Sequence, residues 1–217
     1  MQLSIQIVKR VMDMALAAGG LVVAAPVMGV IAAAIRASSP GPVIYCQRRA
    51  GMIHGEEGLK FDEFEVLKFR TMVQDAEKES GAVLAQTNDP RVTPLGQFLR
   101  STRLDELPQL VNVLKGDMSM VGPRPERPEM IRTLAMAIPF FEERMREIKP
   151  GITGLAQVEL SYTGRMRKGD RLSKLRDTLV NPFKLDGVED SVADDMRTKM
   201  LYDFVYSAYL ENFWQFF

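Results

Sequence analysis

The sequence is poor in the residues from which many catalytic centres are built. Its 217 residues include one cysteine, Cys46, and one histidine, His54. A single cysteine excludes an intrachain disulfide and favours a reducing compartment. A single histidine excludes multi-histidine zinc sites and weighs against a Ser-His-Asp triad. Any catalysis would therefore rest mainly on carboxylates and cations.

The chain also lacks an excess of charge of either sign. Its 28 lysines and arginines balance 28 aspartates and glutamates. A general nucleic-acid binder normally carries a basic excess, so no nucleic-acid partner is predicted. The length and the 46% hydrophobic content suit one globular domain of ordinary size with an appendage.

One long stretch contains no charged residue at all. Residues 14–35 form an apolar run that Asp13 and Arg36 flank and that Pro26 interrupts near its middle. About 20 apolar residues suffice for a helix to span a bilayer, and a proline inside a helix favours a kink. Cations lie on both sides of the run, and clustered cations prefer the cytoplasmic side. From the residues alone, a kinked spanning anchor and a re-entrant helix-break-helix stay equally open.

The remainder of the chain mixes strand and helix patterns. Residues 43–49 and 64–72 are rich in β-branched and aromatic residues, and a glycine-containing loop between them predicts a β-hairpin. Thr93 and Pro94 are typical of a helix N-cap and of the first helical position. The predicted fold class is therefore α+β, mostly helical with a small β-hairpin.

The C-terminal segment carries aromatic residues at helical spacing. Such a stripe most often belongs to a core, and Trp214 nearby makes an interfacial membrane anchor the rival interpretation. The stripe consists of Tyr202, Tyr206, Tyr209, Phe213 and Phe216.

Two adjacent carboxylates, Asp105 and Glu106, open the segment 105–116. Its pattern predicts a helix with Asp105 as N-cap and Gly116 at its end. The N-terminus of a helix favours anions such as phosphates. Hard cations such as Mg²⁺ take one or two carboxylates plus substrate phosphates, and an ionised aspartate can itself attack phosphorus. A capping residue beside a solvated glutamate is the simpler alternative for the pair taken alone.

Four cations accompany this acidic pair. Arg100 lies five residues before the first carboxylate, Lys68 and Arg70 end the second predicted strand, and Arg124 stands between two prolines that restrict its backbone. Cations fixed beside paired carboxylates suit polyphosphate chemistry. A structural salt-bridge cluster is the alternative explanation.

Six motifs occur in order between about Lys9 and Val158, and they resemble the bacterial sugar transferase family, the monotopic phosphoglycosyl transferases. The resemblance resumes at TKMLYDFVY. The motifs are KRVMD, SPGPVIYCQRRAG, FEVLKFRTM, DPRVTPLGQFLR, LDELPQLVNVLKGDMSMVGPRP and KPGITGLAQV.

The resemblance implies an enzyme that transfers a sugar-1-phosphate from a UDP-sugar to a polyprenyl phosphate such as undecaprenyl phosphate and releases UMP. It implies Asp105 as nucleophile, through a covalent aspartyl-phosphosugar intermediate, and Glu106 with Asp105 as ligands of Mg²⁺. This would be the first membrane step of exopolysaccharide, O-antigen or glycoprotein glycan assembly. The candidate phosphate-binding residues are Lys68, Arg70, Arg100 and Arg124.

The resemblance also implies a topology. The family's N-terminal segment is a re-entrant helix broken at a proline, which is Pro26 here. Residues 1–36 would form a membrane hairpin, and residues 37–217 a cytoplasmic catalytic domain with an aromatic interfacial C-terminal helix. The protein would then be monotopic in the bacterial cytoplasmic membrane and contact its lipid, with a homodimer left open. A non-catalytic membrane scaffold for glycan-assembly enzymes is the alternative from another class.

The chain departs from the family pattern after Val158. Many members read Asn-Gly-Arg there, whereas this chain reads ELSYTGRMRKGD. The sequence leaves open whether Arg165 takes the place of the family's arginine, and which sugar is transferred. The chain also lacks the extra membrane helices and regulatory domain of longer members, which predicts a minimal catalytic module.

Overall fold

A computed structural model describes residues 3–55, 60–74, 76, 89–160 and 192–211. In the last of these ranges it describes the side chains from residue 196 onward. The described residues form a mixed helix-and-sheet fold with a long apolar N-terminal helix, in agreement with the predicted class. The elements are α1 (Leu3–Ser38), β1 (Ile44–Ile53), β2 (Phe61–Phe69), α2 (Pro94–Thr102), a 3₁₀ turn (Leu104–Glu106), α3 (Gln109–Lys115), β3 (Ser119–Val121), α4 (Pro128–Ala137), a second 3₁₀ turn (Phe141–Met145), β4 (Gly151–Thr153), α5 (Leu155–Glu159) and α6 (Val192–Glu211).

Helix α1 is long and apolar enough to cross a membrane. Its 36 residues would extend about 54 Å at 1.5 Å per residue. Its most apolar stretch has a mean hydropathy of 2.2, and only 11% of that stretch is buried in the protein. The helix continues through Pro26, so the structure does not show the predicted interruption of the helix there. The re-entrant path itself stays a prediction.

The chain divides into two compact units. One comprises the described residues of 13–47 and 65–116, and we call it the acidic-pair unit. The other contains the described residues of 1–12, 48–64 and 117–217, and we call it the Pro-Arg-Pro unit.

The core of the acidic-pair unit joins the C-terminal half of α1 to the first elements of the site. Ile31 and Ile35 of α1 form a buried cluster with Phe69 of β2 and Leu99 of α2. Burying side chains of this size contributes about 1.5–3 kcal/mol each. The helix that is apolar enough for a membrane is therefore also one wall of this unit's core.

Two predicted helix boundaries, the start of α2 and the end of α3, can be compared with the structure. Thr93 is the N-cap of α2, with its Oγ1 accepting a bond of 2.9 Å from the Gly96 amide, and Pro94 is the first helical residue, as predicted. A Cβ at Gly96 would collide with the carbonyl of Thr71, so glycine allows this close approach of α2. Helix α3 ends at Gly116 in the left-handed conformation (φ 97°), which is also as predicted.

Two small sheets shape the remainder of the fold. Strands β1 and β2 pair with each other, which confirms the predicted β-hairpin. Strands β3 and β4 pair in parallel, with Ser119 opposite Gly151 and Val121 opposite Thr153. Lys9, from the KRVMD motif in α1, donates a hydrogen bond to the hydroxyl of Ser119 and so ties the start of α1 to β3.

Helix α6 carries Tyr202, Tyr206 and Tyr209 of the aromatic stripe. Tyr202 is buried against Ala156 and Leu160, whereas Tyr209 is exposed. The first described member of the stripe therefore belongs to a core, and the interfacial role of the helix stays a prediction. The stripe members outside the described residues are Phe213 and Phe216.

Candidate active site

The acidic pair lies in a 3₁₀ turn and not at the start of an α-helix. The turn covers Leu104–Glu106, and α3 begins only at Gln109. The prediction of Asp105 as the N-cap of that helix is therefore wrong. Pro108 has no N–H to donate to the carbonyl of Leu104, which accepts from the Leu107 amide, three residues later, at 3.4 Å. The chain instead closes a tighter turn before α3 starts.

The order Leu-Asp-Glu-Leu explains how the pair is presented. Leu104 and Leu107, three residues apart, both pack against the core of the acidic-pair unit. The two carboxyl side chains between them are therefore directed elsewhere, yet they stay largely out of water. Asp105 is 7% exposed and Glu106 is 8% exposed. Burial of two adjacent carboxylates is costly unless cations or hydrogen bonds compensate it.

Cations do compensate Glu106. Lys68 of β2 donates to its Oε1 at 3.1 Å. The Nη1 of Arg103 lies 3.9 Å from its Oε2. Arg103 precedes the pair with a positive φ of 60°, which is uncommon for a residue with a side chain and turns the chain sharply after α2. Glu106 is thus held between a strand cation and a turn cation.

Asp105 is compensated less completely. Its Oδ1 is buried, and no hydrogen-bond partner for it occurs among the residues that the structure describes. Burial raises the pKa of the Asp105 carboxyl above its ordinary value of 3.8, and the charge of Glu106 raises it further. The charges of Lys68 and Arg100 oppose this rise. A buried acceptor without a donor marks a place where a ligand can supply the missing contact.

The predicted cations of this unit fall into two groups. Arg100 influences Asp105 electrostatically, and its Nε donates to the hydroxyl of Thr71 at 2.8 Å. Arg70 donates instead to the carbonyls of Ser39 and Pro40, at 2.8 and 2.6 Å, and so fastens the turn after α1. The prediction that Arg70 also contacts phosphate stays a prediction.

Asn112 is a site residue that the sequence analysis missed. It is fully buried in α3, where its Oδ1 accepts from the Leu67 amide at 3.0 Å and its Nδ2 donates to the Glu65 carbonyl at 2.7 Å. These bonds hold β2 against α3 and so place Lys68 opposite Glu106. A polar residue inside the apolar run LVNVL was the available signal.

Arg124, the fourth predicted cation, lies in the Pro-Arg-Pro unit. Its carbonyl accepts a hydrogen bond of 2.6 Å from Nη2 of Arg144. The carbonyl of Pro125 accepts one of 3.2 Å from Nη1 of Arg49. Neither arginine was singled out from the sequence. Arg165, whose role the sequence left open, lies outside the described residues.

The sequence of this chain matches a known family and several named relatives. Residues 4–181 match the family of bacterial sugar transferases. Over 138 residues the chain is 52% identical to a Bacillus subtilis (strain 168) protein provisionally named an undecaprenyl-phosphate N-acetylgalactosaminyl 1-phosphate transferase, covering 64% of this chain and 73% of the relative.

Two longer relatives carry names that specify the sugar donor. The UDP-N-acetylgalactosamine-undecaprenyl-phosphate N-acetylgalactosaminephosphotransferase of Aeromonas hydrophila is 37% identical over 206 residues, which cover 95% of this chain and 40% of the relative. The UDP-glucose:undecaprenyl-phosphate glucose-1-phosphate transferase of Escherichia coli (strain K12) is 44% identical over 153 residues, which cover 70% of this chain and 31% of the relative. This chain therefore spans less than half the length of both. The family match extends over most of the chain, and the chain belongs to the bacterial sugar transferase family.

Proposed function

We propose that this chain transfers a sugar-1-phosphate from a UDP-sugar to a polyprenyl phosphate, such as undecaprenyl phosphate, and releases UMP. The observation that carries the proposal is the buried Asp105 carboxylate, whose Oδ1 has no partner among the described residues and which lies within the influence of Lys68 and Arg100. The names of the related enzymes support the substrate classes. A non-catalytic scaffold would have no need of this desolvated carboxylate.

In the first step an oxygen of the Asp105 carboxylate attacks the phosphorus that bears the sugar. The bond from this phosphorus to the oxygen bridging the two phosphates breaks, and UMP leaves with that electron pair. Lys68 and Arg100 can offset the negative charge of the diphosphate, because fixed cations bind phosphate oxygens strongly in a site with little water. Asp105 then carries the phosphosugar as an acyl phosphate.

In the second step an oxygen of the polyprenyl phosphate attacks the same phosphorus. The bond between this phosphorus and the Asp105 oxygen breaks, which restores the carboxylate and yields a polyprenyl-diphosphate-linked sugar. One carboxylate therefore serves both steps, first as nucleophile and then as leaving group. UMP can leave before the lipid acceptor reacts, since the two transfers are separate.

The donor set fits a hard divalent cation such as Mg²⁺. In the described part of the chain, no group of three or more His, Cys, Asp and Glu side chains is arranged so that it could hold a metal ion. Mg²⁺ does not need one, because it binds through one or two carboxylates together with substrate phosphates and waters. The residues that would hold it are Glu106 and Asp105, whose Oδ1 has no hydrogen-bond partner in the part of the chain that the structure describes. When bound, the ion would neutralise charge on the diphosphate.

The lipid acceptor requires the site to work at a membrane surface. Helix α1 supplies an apolar segment of sufficient length, and its residues Ile31 and Ile35 pack within the acidic-pair unit. We place α1 in the cytoplasmic leaflet of the bacterial inner membrane with both ends on the cytoplasmic side. This arrangement keeps the acidic pair within reach of a phosphate at the membrane surface.

A panel of UDP-sugars, incubated with the purified chain and Mg²⁺, tests the proposed function. We expect UMP to be released in an amount close to that of the enzyme when no acceptor is present, and with multiple turnover once undecaprenyl phosphate is added. The panel should include UDP-N-acetylgalactosamine and UDP-glucose, the donors in the relatives' names. Absence of UMP release from every donor, with acceptor and metal supplied, would contradict the proposal.

Replacement of Lys68 by Met is expected to move the acid side of the pH profile to higher pH. Asp105 must be ionised to attack, so kcat/KM should rise as pH increases through its raised pKa. The Lys68 charge lowers that pKa, and its removal therefore raises it. The measurement is kcat/KM for UMP release against pH. Lys115→Met, an exposed lysine of α3, is the control and should leave the profile in place. An unchanged acid limb in Lys68→Met would contradict the assignment of that limb to Asp105.

A further inference from the structure

The Pro-Arg-Pro loop, residues 123–125, is held at every backbone carbonyl. Prolines at both of its ends restrict the backbone dihedral φ. Its carbonyls accept bonds from the Gly151 amide at 2.9 Å, from Arg144 Nη2 at 2.6 Å and from Arg49 Nη1 at 3.2 Å, in chain order. The backbone of this short loop, including that of Arg124, is thus fixed.

Arg144 connects the loop to the C-terminal helix. It lies in the 3₁₀ turn Phe141–Met145 and is 1% exposed. Its Nε lies 3.1 Å from Oδ2 of Asp203, which is in α6, while its Nη2 donates to the Arg124 carbonyl. The guanidinium also stacks 4.9 Å above the ring of Phe141. One buried side chain therefore bridges α6 and the loop.

Asp203 makes the burial of this arginine tolerable. An unpaired charge in a protein interior is strongly destabilising, and so is the loss of one partner of a buried pair. Asp203 is 2% exposed, and burial raises the pKa of its carboxyl to about 6 although Arg144 opposes the rise. The carboxyl is therefore mainly ionised at neutral pH and can pair with Arg144.

A second contact from α6 reaches the residue that ends β3, shortly before the loop. The hydroxyl of Tyr206 donates to the carbonyl of Val121 at 2.8 Å. Asp203 and Tyr206 lie three residues apart and so share one face of the helix. The same face of α6 thus supports the approach to the loop and, through Arg144, the loop itself.

We infer that Arg144 and Asp203 form a positioning pair that fixes the backbone of Arg124 for phosphate binding, and that α6 thereby helps to position this residue. The inference rests on the proposed function and on the prediction from the sequence that Arg124 binds phosphate. Neither Arg144 nor Asp203 touches substrate in this scheme. Their contribution is geometric, because a misplacement of about 1 Å at a reacting group can reduce turnover about a hundredfold.

A double-mutant cycle tests the pair. Arg144→Lys retains the charge but lacks the guanidinium fork that reaches both Asp203 and the loop carbonyl. We expect both Arg144→Lys and Arg124→Ala to lower kcat for UMP release about a hundredfold, and Arg144→Lys to lower it no further in the Arg124→Ala background. A purely structural Arg144 would cause the same additional loss in both backgrounds, and this outcome would overturn the inference.

Arg146→Lys is the matched control. Arg146 lies two residues away, pairs with the carboxylate of Glu143 at 2.5 Å and donates to the carbonyl of Gly55, but has no contact with the loop among the bonds described. It should retain the turnover of the unmodified chain. A loss equal to that of Arg144→Lys would overturn the inference, because the effect would then be common to this turn.

Hydrogen exchange of the loop gives a readout that does not depend on activity. The amides of Arg124 and Glu126 should exchange at least about tenfold faster in Arg144→Lys than in Arg146→Lys, since local opening becomes easier. If Arg144→Lys fails to fold, the neutral pair Arg144→Met with Asp203→Leu replaces it, because such replacements of buried pairs are often neutral. Unchanged exchange in the folded variant would overturn the inference. If exchange becomes faster in Arg144→Lys but the unmodified chain shows no transfer activity, the proposed function is contradicted and the positioning pair is not.

Discussion

Replacement of Asp105 by Asn is expected to abolish the release of UMP from the cognate UDP-sugar, both with and without acceptor. Asn has nearly the same shape but no ionised oxygen, so it can neither attack phosphorus nor leave from it. Loss of a nucleophile typically lowers kcat by about four to six orders of magnitude. In the unmodified chain, mass spectrometry after incubation without acceptor should show a phosphosugar adduct on Asp105, and in the variant this adduct should be absent.

The same substitution is expected to leave the fold intact or to stabilise it. Burial raises the pKa of Asp105, so the folded state holds a proton more tightly than the unfolded state does. Stability is then lost as pH rises through that pKa, and the ionised carboxylate is unfavourable in the folded protein at neutral pH. Asn removes this cost, so the melting temperature at pH 7 should not fall. Inactivity with an unchanged or raised melting temperature is the signature of a strained functional residue.

Asp89→Asn provides the matched control for this experiment. Asp89 is also a buried aspartate of the acidic-pair unit, but its Oδ2 accepts from Arg91 at 2.6 Å, and this contact lowers its pKa to about 2. Its neutralisation should lower stability and spare UMP release. UMP that appears in Asp105→Asn, or that appears in the unmodified chain only when acceptor is added, would contradict a covalent intermediate on Asp105.

Local patterns predicted the parts of the site that depend on neighbours in sequence. The Thr93 cap, the proline after it and the stop of α3 at Gly116 follow from the backbone preferences of those residues, and the structure shows each of them. The wrong N-cap at Asp105 has the same local origin. A helical pattern continues back to residue 105, but residues 104–106 form a 3₁₀ turn and α3 begins only after Pro108.

The contacts that hold the site over long distances could not be predicted in this way. Asn112 bonds to β2 about 45 residues earlier, and Arg144 pairs with Asp203 about 59 residues later. Composition and periodicity give no pairing between such positions. What they do give is the anomaly of a polar side chain in an apolar run, as at Asn112. Arg144 shows no comparable anomaly, because most residues of the segment that carries it, FEERMRE, are charged.

The path of α1 is the last feature with an all-or-none outcome. Leu3→Cys and Ser38→Cys each place a single cysteine near one end of the helix. We expect both cysteines to be protected from an impermeant thiol reagent applied to the periplasm. Both should label once the inner membrane is opened. The background is Cys46→Ser, since the native cysteine is exposed. Labelling of the N-terminal position alone in intact cells would show a true span and contradict the re-entrant path.

Pro26→Ala is expected to shift this outcome toward a span. The apolar run of 22 residues, 14–35, would cover about 33 Å as a straight helix, enough for a hydrocarbon core of about 30 Å. Length therefore permits both paths, and the proline is the feature that disfavours the straight one. Its cost in a helix interior, about 3 kcal/mol, corresponds to a change of about a hundredfold between the two populations. Val27→Ala, which alters a neighbouring side chain and no backbone bond, is the control. Equal protection of Leu3→Cys in the Pro26→Ala and Val27→Ala backgrounds would show that Pro26 does not set the topology.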